Sequence, residues 1–297
     1  MELFNKFSIV FSSIVIEALP FILIGAVLSS FMQVYISKDI FNKIICKNKF
    51  LGSIQAGLIG LFLPVCECAT VPITRGLLKK KVPINVAVTY MLAAPIVNPL
   101  VILSTYYAFS GSLKFVFLRV FIGFLVAVIT GIIMLYLSYE SNIFIDKSVE
   151  GMEDKCFCGC SEIEDTSSNF VKLLKHSSLE FYEIGKFFII GASLAAIFQS
   201  FVPRDIIFYF ENNQVLSILA LMGFSFLISL CSEADAFVAS TFINRFSLGA
   251  ITSFLIIGPM IDLKNTIMLF STFKKSFVIK LLFVVFSLSF IASVLIF

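Results

Sequence analysis

Two thiols and a carboxylate are adjacent in an apolar part of the chain. The segment "LPVCECATVP", residues 63–72, places Glu67 between Cys66 and Cys68 and carries a proline near each end. Thiolates are soft ligands that select soft metal and metalloid centres. Because residues two apart fall on different faces of a helix, joint use of both thiols favours an unwound backbone, which the flanking prolines support. The segment therefore predicts a binding site for a thiol-reactive species.

Other cysteines extend this chemistry. Cys231, in the segment "CSEADAFVA", could approach the pair from the second half of the chain. Cys156, Cys158 and Cys160 form "CFCGC" in a polar stretch, where they could capture or sense a soft metal or metalloid. A packed or merely tolerated cysteine is the alternative for each of these groups. The seven cysteines are not distributed like a disulfide framework, so we expect reduced thiols.

Several carboxylates lie within apolar stretches, where an unpaired charge costs at least about 2.5–3.5 kcal/mol at the centre of a membrane helix. Such groups face a cavity or are protonated, so they are suited to taking up a proton on one side and releasing it on the other. We predict five proton-coupling residues: Glu67, Glu233, Asp235, Glu17 and Glu183. The alternative for Glu17 and Glu183 is hydrogen bonding that fixes helix packing, with Lys186 neutralising Glu183 one turn away.

Asn98 and Asp262 stand close to Pro95 and Pro259, again within apolar runs. Polar residues beside prolines are typical of caps on broken half-helices, whose ends can hold a substrate or an ion. We therefore predict that these four residues bind substrate together with Cys66, Cys68 and Cys231.

Composition identifies the medium in which these residues act. Of 297 residues, 59% are hydrophobic and 14% are charged, whereas a soluble domain carries about 25% charged residues. Apolar runs longer than the roughly 20 residues that span a bilayer recur from Phe7 to the C-terminus, without the strict alternation of a β-barrel. The sequence predicts an all-α polytopic protein of the cell membrane.

The two halves of the chain align with each other. The segment from Glu17, "EALPFILIGAVLSSFMQVYISKDI", matches the segment from Glu183, "EIGKFFIIGASLAAIFQSFVPRDI", without a gap. Agreement of acids, glycines and prolines in one register indicates an internal duplication. The aligned pairs are Glu17/Glu183, Gly25/Gly191 and Glu67/Glu233 at an offset of 166 residues, and Pro95/Pro259 and Asn98/Asp262 at an offset of 164. The chain then divides into a first membrane repeat (1–139), a cytoplasmic polar linker (140–175) and a second membrane repeat (176–297).

Basic residues on both sides of residues 50–80 predict a re-entrant hairpin. Both flanks are expected in the cytoplasm, and a hairpin that enters the membrane and returns places them there, with Cys66, Glu67 and Cys68 at its tip. The crossings are then 8–36, 84–110, 114–139, 177–202, 246–272 and 276–297. Three crossings per half make the two repeats inverted. The alternative is eight plain crossings in two parallel halves of four.

The segments "PVCECATVPITRGLLKKKVP", "YMLAAPIVNPLV" and "CSEADAFVA" resemble the predicted-permease family whose characterised members are ArsP-like efflux permeases for trivalent organoarsenicals. The resemblance covers both halves of the chain, apart from residues 140–175. It implies arsenic resistance through export of methylated or aromatic As(III) compounds across the inner membrane. Such a compound leaves two positions on arsenic for sulfur, which Cys66 and Cys68 could supply.

The resulting hypothesis is a secondary, proton-coupled exporter of organoarsenicals or related soft metal or metalloid species, and not an enzyme. A permease for another small solute is one alternative. A membrane thiol-redox protein that passes electrons between Cys66/Cys68 and the 156–160 cluster is another, although C-x-C is a poorer redox motif than C-x-x-C. We expect the substrate and the lipid bilayer as partners, and neither a cofactor nor a nucleic acid. A homo-oligomer is compatible with the sequence.

Overall fold

The computed structural model describes residues 2–35, 48–62, 65–138, 169–201, 213–243 and 245–296, with residues 207, 209 and 210. Over these ranges the chain forms twelve helices, which confirms the predicted all-α class. Those of the first half are α1 (Glu2–Tyr35), α2 (Lys49–Phe62), α3 (Glu67–Lys79), α4 (Ile84–Val97), α5 (Pro99–Ala108) and α6 (Leu113–Leu137). Those of the second half are α7 (Asn169–Phe201), α8 (Gln214–Ile228), α9 (Ala234–Ser240), α10 (Leu248–Met260), α11 (Leu263–Thr272) and α12 (Lys275–Leu295).

The long helices match the predicted crossings. Five stretches are long and apolar enough to cross a membrane: Phe4–Phe31, Leu113–Leu137, Leu173–Phe201, Leu248–Thr272 and Lys275–Leu295. Helices α4 and α5, bent by 41°, form a sixth when the pair is counted as one span. The chain is therefore a multi-pass membrane protein. Each of the six stretches overlaps one of the six crossings expected from the sequence, which favours six crossings over eight plain ones.

Helices α2 and α3 form a hairpin, which we call hairpin 1. The Asn85 side-chain nitrogen donates to the Lys49 carbonyl at 2.8 Å, and so joins the start of α2 to the start of α4. At the other end of α2, a Cβ added at Gly60 would lie 2.7 Å from Ala94 Cα, so α2 and α4 run parallel. Helix α3 lies between them in sequence and must run back. Its 13 residues span about 20 Å, less than the ~30 Å of a hydrocarbon core.

Helices α8 and α9 form hairpin 2 in the same way. A Cβ added at Gly249 would lie 3.8 Å from the Ile218 side chain, and one added at Gly258 would lie 2.7 Å from the Ser225 hydroxyl, so α8 and α10 also run parallel. Helix α9, of seven residues, begins the return. The order of helix types in the second half therefore repeats that of the first, although the duplication and its inverted orientation stay predictions.

Two broken helices, α4–α5 and α10–α11, form the centre of the molecule. Every residue from Asn85 to Val97 and from Gly249 to Met260 is buried, whereas α1 exposes much of its apolar surface. Asn98 ends α4 and its side chain accepts from the Leu100 amide at 3.0 Å, with Pro99 at the first position of α5. The Asn98 side chain satisfies one of the free amides at the start of α5, and Pro99 has no amide hydrogen that would need a partner. This Asn-Pro pair specifies the break in the sequence itself.

One local expectation was wrong. Pro72 does not interrupt the chain, because it lies inside α3, which is continuous from Glu67 to Lys79. The tip of hairpin 1 is therefore unwound only up to Cys66. Pro64 lies outside the described residues.

Candidate functional site

A cavity of about 290 Å³ lies where the two hairpin tips meet, and we call it the tip cavity. Its walls come from α1, from both tips, from the end of α7 and from the start of α11. The residues that line it are Ile9, Val10, Ser13, Ile14, Glu17, Ala18, Phe21, Cys66, Glu67, Cys68, Gln199, Ser229, Leu230, Cys231, Ala234 and Lys264. The cavity thus joins elements from both halves of the chain.

Three free thiols share this cavity. Cys66 is half-buried and has an extended backbone (φ −79°, ψ 168°), whereas Cys68 is buried in the first turn of α3. The two thiols of this pair are close enough to interact, although only Cys66 lies in unwound chain. Cys231, half-buried at the tip of hairpin 2, faces the same space. The structure therefore brings all three cysteines to one cavity, and their binding of substrate stays a prediction.

A buried acid–base cluster lies beside the thiols. The Lys264 ammonium nitrogen is 3.3 Å from Asp262 Oδ2 and 3.9 Å from Glu67 Oε1. All three side chains are at least 96% buried, and the Ser232 side chain from the opposite tip also approaches Glu67. Glu67 Oε2 has no hydrogen-bond partner among the described residues. One buried oxygen of this cavity-lining residue is thus left to take up a proton.

Capping positions this cluster. Asp262 has an extended backbone between α10 and α11, and its Oδ1 accepts from the Asn265 amide at 2.7 Å. The Leu263 amide donates to the Ser229 hydroxyl at 3.1 Å, which ties the start of α11 to hairpin 2. Ser229 itself is in the left-handed conformation (φ 51°, ψ 50°) that ends α8. The break at Asp262 therefore carries its neighbour Lys264 to the cavity wall.

A second buried ion pair holds hairpin 2 against the first half. Arg119 on α6 is fully buried, and its Nη2 donates to Asp235 Oδ1 and Oδ2 at 2.9 and 3.0 Å. The same guanidinium donates to the Thr105 hydroxyl and to the Ser232 carbonyl, both at 2.8 Å. Two hairpin acids, Glu67 and Asp235, are thus each paired with a basic residue from the other half.

The predicted site residues separate into those that line the cavity and those that do not. The first group is Cys66, Cys68, Cys231, Glu67 and Glu17. Asp262 contacts the cavity only through Lys264, and Asp235 is engaged by Arg119. Pro95, Asn98, Pro259, Glu233 and Glu183 are not in the cavity wall.

Glu183 has a different partner from the one expected. Arg75 on α3 lies 2.9 Å from its carboxylate, whereas Lys186 lies over the rings of Tyr182 and Phe187. The interpretation that Glu183 fixes helix packing therefore gains support, with Arg75 rather than Lys186 as the neutralising residue.

Two basic residues were missed in the sequence. Lys264 and Arg119 each stand within an apolar crossing, as conspicuous as the acids that were singled out, and the cost of a membrane charge applies equally to them. A Lys or Arg within an apolar run is therefore a sequence signal for the buried partner of an acid.

The residues described contain no group of three or more His, Cys, Asp or Glu side chains arranged to hold a metal ion. Cys156, Cys158 and Cys160, predicted as metal ligands, lie outside the described residues, as does Cys46.

Comparison with known proteins identifies the family. The sequence profile of the family described as Predicted permease (ArsP_1) matches residues 3–297. The chain belongs to this permease family. The permease is 40% identical to the UPF0718 protein YcgR of Bacillus subtilis over 94% of its own length and 92% of that protein. It is 39% identical, over 91% and 88% of the two chains, to a candidate subunit of a two-component membrane permease complex from Streptococcus mutans. No solved structure gives a significant match to the permease.

Proposed function

We propose that this permease exports thiol-reactive trivalent organoarsenicals or related soft metalloid or metal species in exchange for protons. The observation that carries the proposal is the tip cavity, where Cys66, Cys68 and Cys231 meet Glu67 at the junction of the two halves. Substrate sites of secondary transporters are formed by discontinuous helices near the centre of the membrane. The extended backbone at Cys66 and the helix break at Asp262, both beside this cavity, support the proposal.

The thiol pair suits a trivalent arsenical. In a compound RAs(OH)₂, each As–O bond is replaced by an As–S bond, and each thiol proton leaves with hydroxide as water. Two thiols therefore bind one arsenic and release two waters. The reaction reverses when water or another thiol attacks the arsenic, so binding from one side and release to the other need no net redox change.

Proton exchange is assigned to Glu67. It lines the same cavity as the thiols, one of its oxygens has no hydrogen-bond partner in the described part of the chain, and Lys264 stands 3.9 Å from the other. Protonation of Glu67 would weaken its attraction to Lys264 and change the charge of the wall on which substrate binds. Glu17 also lines the cavity and is the next candidate.

The similarity to the Streptococcus mutans protein extends the proposal to partners. Since that relative is described as a candidate subunit of a two-component permease complex, we propose that the present chain also works with a second subunit. Affinity purification from native membranes, with cross-linking before solubilisation, tests for a stoichiometric second chain.

Uptake of phenylarsine oxide into everted membrane vesicles tests the proposed activity. Vesicles that contain the permease are expected to accumulate the compound when their lumen is acidified, and to stop when an ionophore collapses the pH gradient. Vesicles without the permease measure passive entry. Uptake equal to this control, with the protein present and folded, would rule out the arsenical. Uptake that does not depend on the pH gradient would rule out proton coupling but not transport of the arsenical.

A further inference from the structure

One basic side chain in the wall of the tip cavity is not a soft ligand of the kind proposed to bind arsenic. Lys264 lines the cavity together with Cys66 and Cys68, and its side chain is only 4% exposed. Its ammonium lies 3.3 Å from Asp262 Oδ2 and 3.9 Å from Glu67 Oε1. Between two buried carboxylates, an ammonium occupies the place where a bound cation would otherwise be expected.

The backbone below this ammonium is fixed. A Cβ added at Gly191 on α7 would lie 3.0 Å from Lys264 Cα, so α7 packs directly against the chain at this point. The Leu263 amide is held by Ser229, and the Asn265 amide by Asp262. With both neighbouring amides bound and α7 behind, the start of α11 cannot move away from the cavity without breaking these contacts.

The positive charge of Lys264 is not needed for the helix capping that α5 and α11 have in common. Asn98 and Asp262 both cap the helix that follows the break. In the predicted alignment, however, the counterpart of Lys264 is Leu100, an apolar side chain that is 53% exposed. A lysine is therefore not required to start such a helix, and its presence beside the thiols calls for another explanation.

We propose that Lys264 is a built-in counter-cation that makes the tip cavity select uncharged thiol-reactive species and exclude soft metal cations. Without Lys264, Cys66 and Cys68 would offer two soft ligands to a cation such as Cd²⁺, with the Glu67 carboxylate in the same cavity wall. The Lys264 ammonium already engages Glu67 and Asp262, so a divalent ion could use the Glu67 carboxylate only by displacing this ammonium, which repels it at short range. An uncharged RAs(OH)₂ meets no such repulsion. This inference rests on the proposed function, and narrows its substrates to the metalloid class.

Thiol protection measures this selectivity directly. The full-length protein is purified with serine at the four cysteines outside the described residues, Cys46, Cys156, Cys158 and Cys160. Maleimide alkylation of the remaining thiols is followed by intact mass, with phenylarsine oxide or CdCl₂ as the protecting agent. Phenylarsine oxide is expected to protect two thiols, and Cd²⁺ to protect poorly.

The decisive comparison uses Lys264→Met combined with Asp262→Asn. Asp262→Asn removes the carboxylate that would be left without its Lys264 partner. It keeps a side chain that can cap α11, since Asn98 caps α5 in the same way. We expect the half-protecting Cd²⁺ concentration to fall at least about tenfold in the double variant, because Glu67 is then no longer engaged by an ammonium and can join the two thiols around Cd²⁺. Phenylarsine oxide should still protect two thiols in both proteins, because Cys66 and Cys68 are unchanged. Asp262→Asn alone and Lys264→Arg are the matched controls and should still exclude Cd²⁺.

The results distinguish a failure of the cation selectivity from a failure of the proposed function. If Cd²⁺ protects the Lys264 protein as well as it protects the double variant, while phenylarsine oxide protects both, Lys264 does not select against cations. If phenylarsine oxide protects no thiol in either protein, the proposed function and this inference fail together. Size-exclusion chromatography shows whether the double variant is folded. Should it not be, equal protection of the Lys264 protein by Cd²⁺ and by phenylarsine oxide is enough to refute the selectivity.

Discussion

Removal of the Asp235 charge should destabilise the protein far more than removal of a half-exposed acid. In Asp235→Asn, Arg119 keeps its bonds to Thr105 and to the Ser232 carbonyl but loses the counter-charge that two bonds of 2.9 and 3.0 Å now supply. Arg119 is fully buried and the Asp235 side chain is 2% exposed. Breaking a buried ion pair on one side costs about 3–5 kcal/mol, and we expect the lower end because the two other bonds remain.

The matched control is Glu183→Gln. Its partner Arg75 lies at the same distance of 2.9 Å, but the Glu183 side chain is 38% exposed, so the pair should contribute only about 0–1 kcal/mol. Unfolding in mixed micelles of rising denaturing-detergent content, followed by circular dichroism, gives both free energies. The double variant Arg119→Gln/Asp235→Asn should cost less than the sum of its single changes, since neither charge is then left alone.

A small effect of Asp235→Asn would refute this reasoning. Membrane hydrogen bonds measured by double-mutant cycles average about 0.6 kcal/mol, so a loss of that size would mean that Asp235 acts as an ordinary hydrogen-bond acceptor. A loss equal to that of Glu183→Gln would lead to the same conclusion. In either case, hairpin 2 would not be held by a water-free ion pair. Of the two ion pairs that join the halves of the chain near the tip cavity, only Glu67–Lys264 would then remain.

Three further predictions follow from the hairpins and the cavity. Single cysteines at Asn48 and Lys80 should react with an impermeant maleimide from the same, cytoplasmic, side; reaction from opposite sides would exclude a re-entrant hairpin 1. Glu67→Gln should make phenylarsine oxide transport insensitive to the pH gradient, whereas Glu233→Gln, outside the cavity wall, should keep the gradient dependence, and the reverse result would move the proton path to hairpin 2. Gly191→Val should lower transport without preventing membrane insertion, because its side chain would push against α11; unchanged transport would show that this packing has no role.

Much of the fold could be predicted from the sequence, because a membrane crossing is a long apolar run and the medium requires it to be helical. The six crossings and the hairpin at residues 50–80 were obtained in this way. The break at Asn98 was also predictable, since a cap and a proline are local signals. The course of the chain at Pro72 was not, because a proline within a helix is tolerated when neighbouring helices pack around it, and Pro72 packs closely against Gly25 of α1.

The site could be predicted only in part. The convergence of Cys66, Cys68 and Glu67 was accessible because they are adjacent in sequence, and Cys231 was accessible because the predicted repeat placed it at the matching tip. The pairings of Glu67 with Lys264 and of Asp235 with Arg119 join residues more than a hundred positions apart. Such contacts depend on how the two halves dock, which neither periodicity nor spacing specifies.

Transport by two matched cysteine variants tests the central claim, that the tip cavity is the substrate site of this permease. Cys66→Ser/Cys68→Ser and Cys156→Ser/Cys158→Ser/Cys160→Ser are expressed to equal levels, and initial rates of phenylarsine oxide uptake are measured in everted vesicles over a range of concentrations. The account predicts that the first variant loses uptake and that the second retains its maximal rate, with a change in apparent affinity at most. Uptake that survives in the first variant and is lost in the second would contradict the account and move the site to the polar linker.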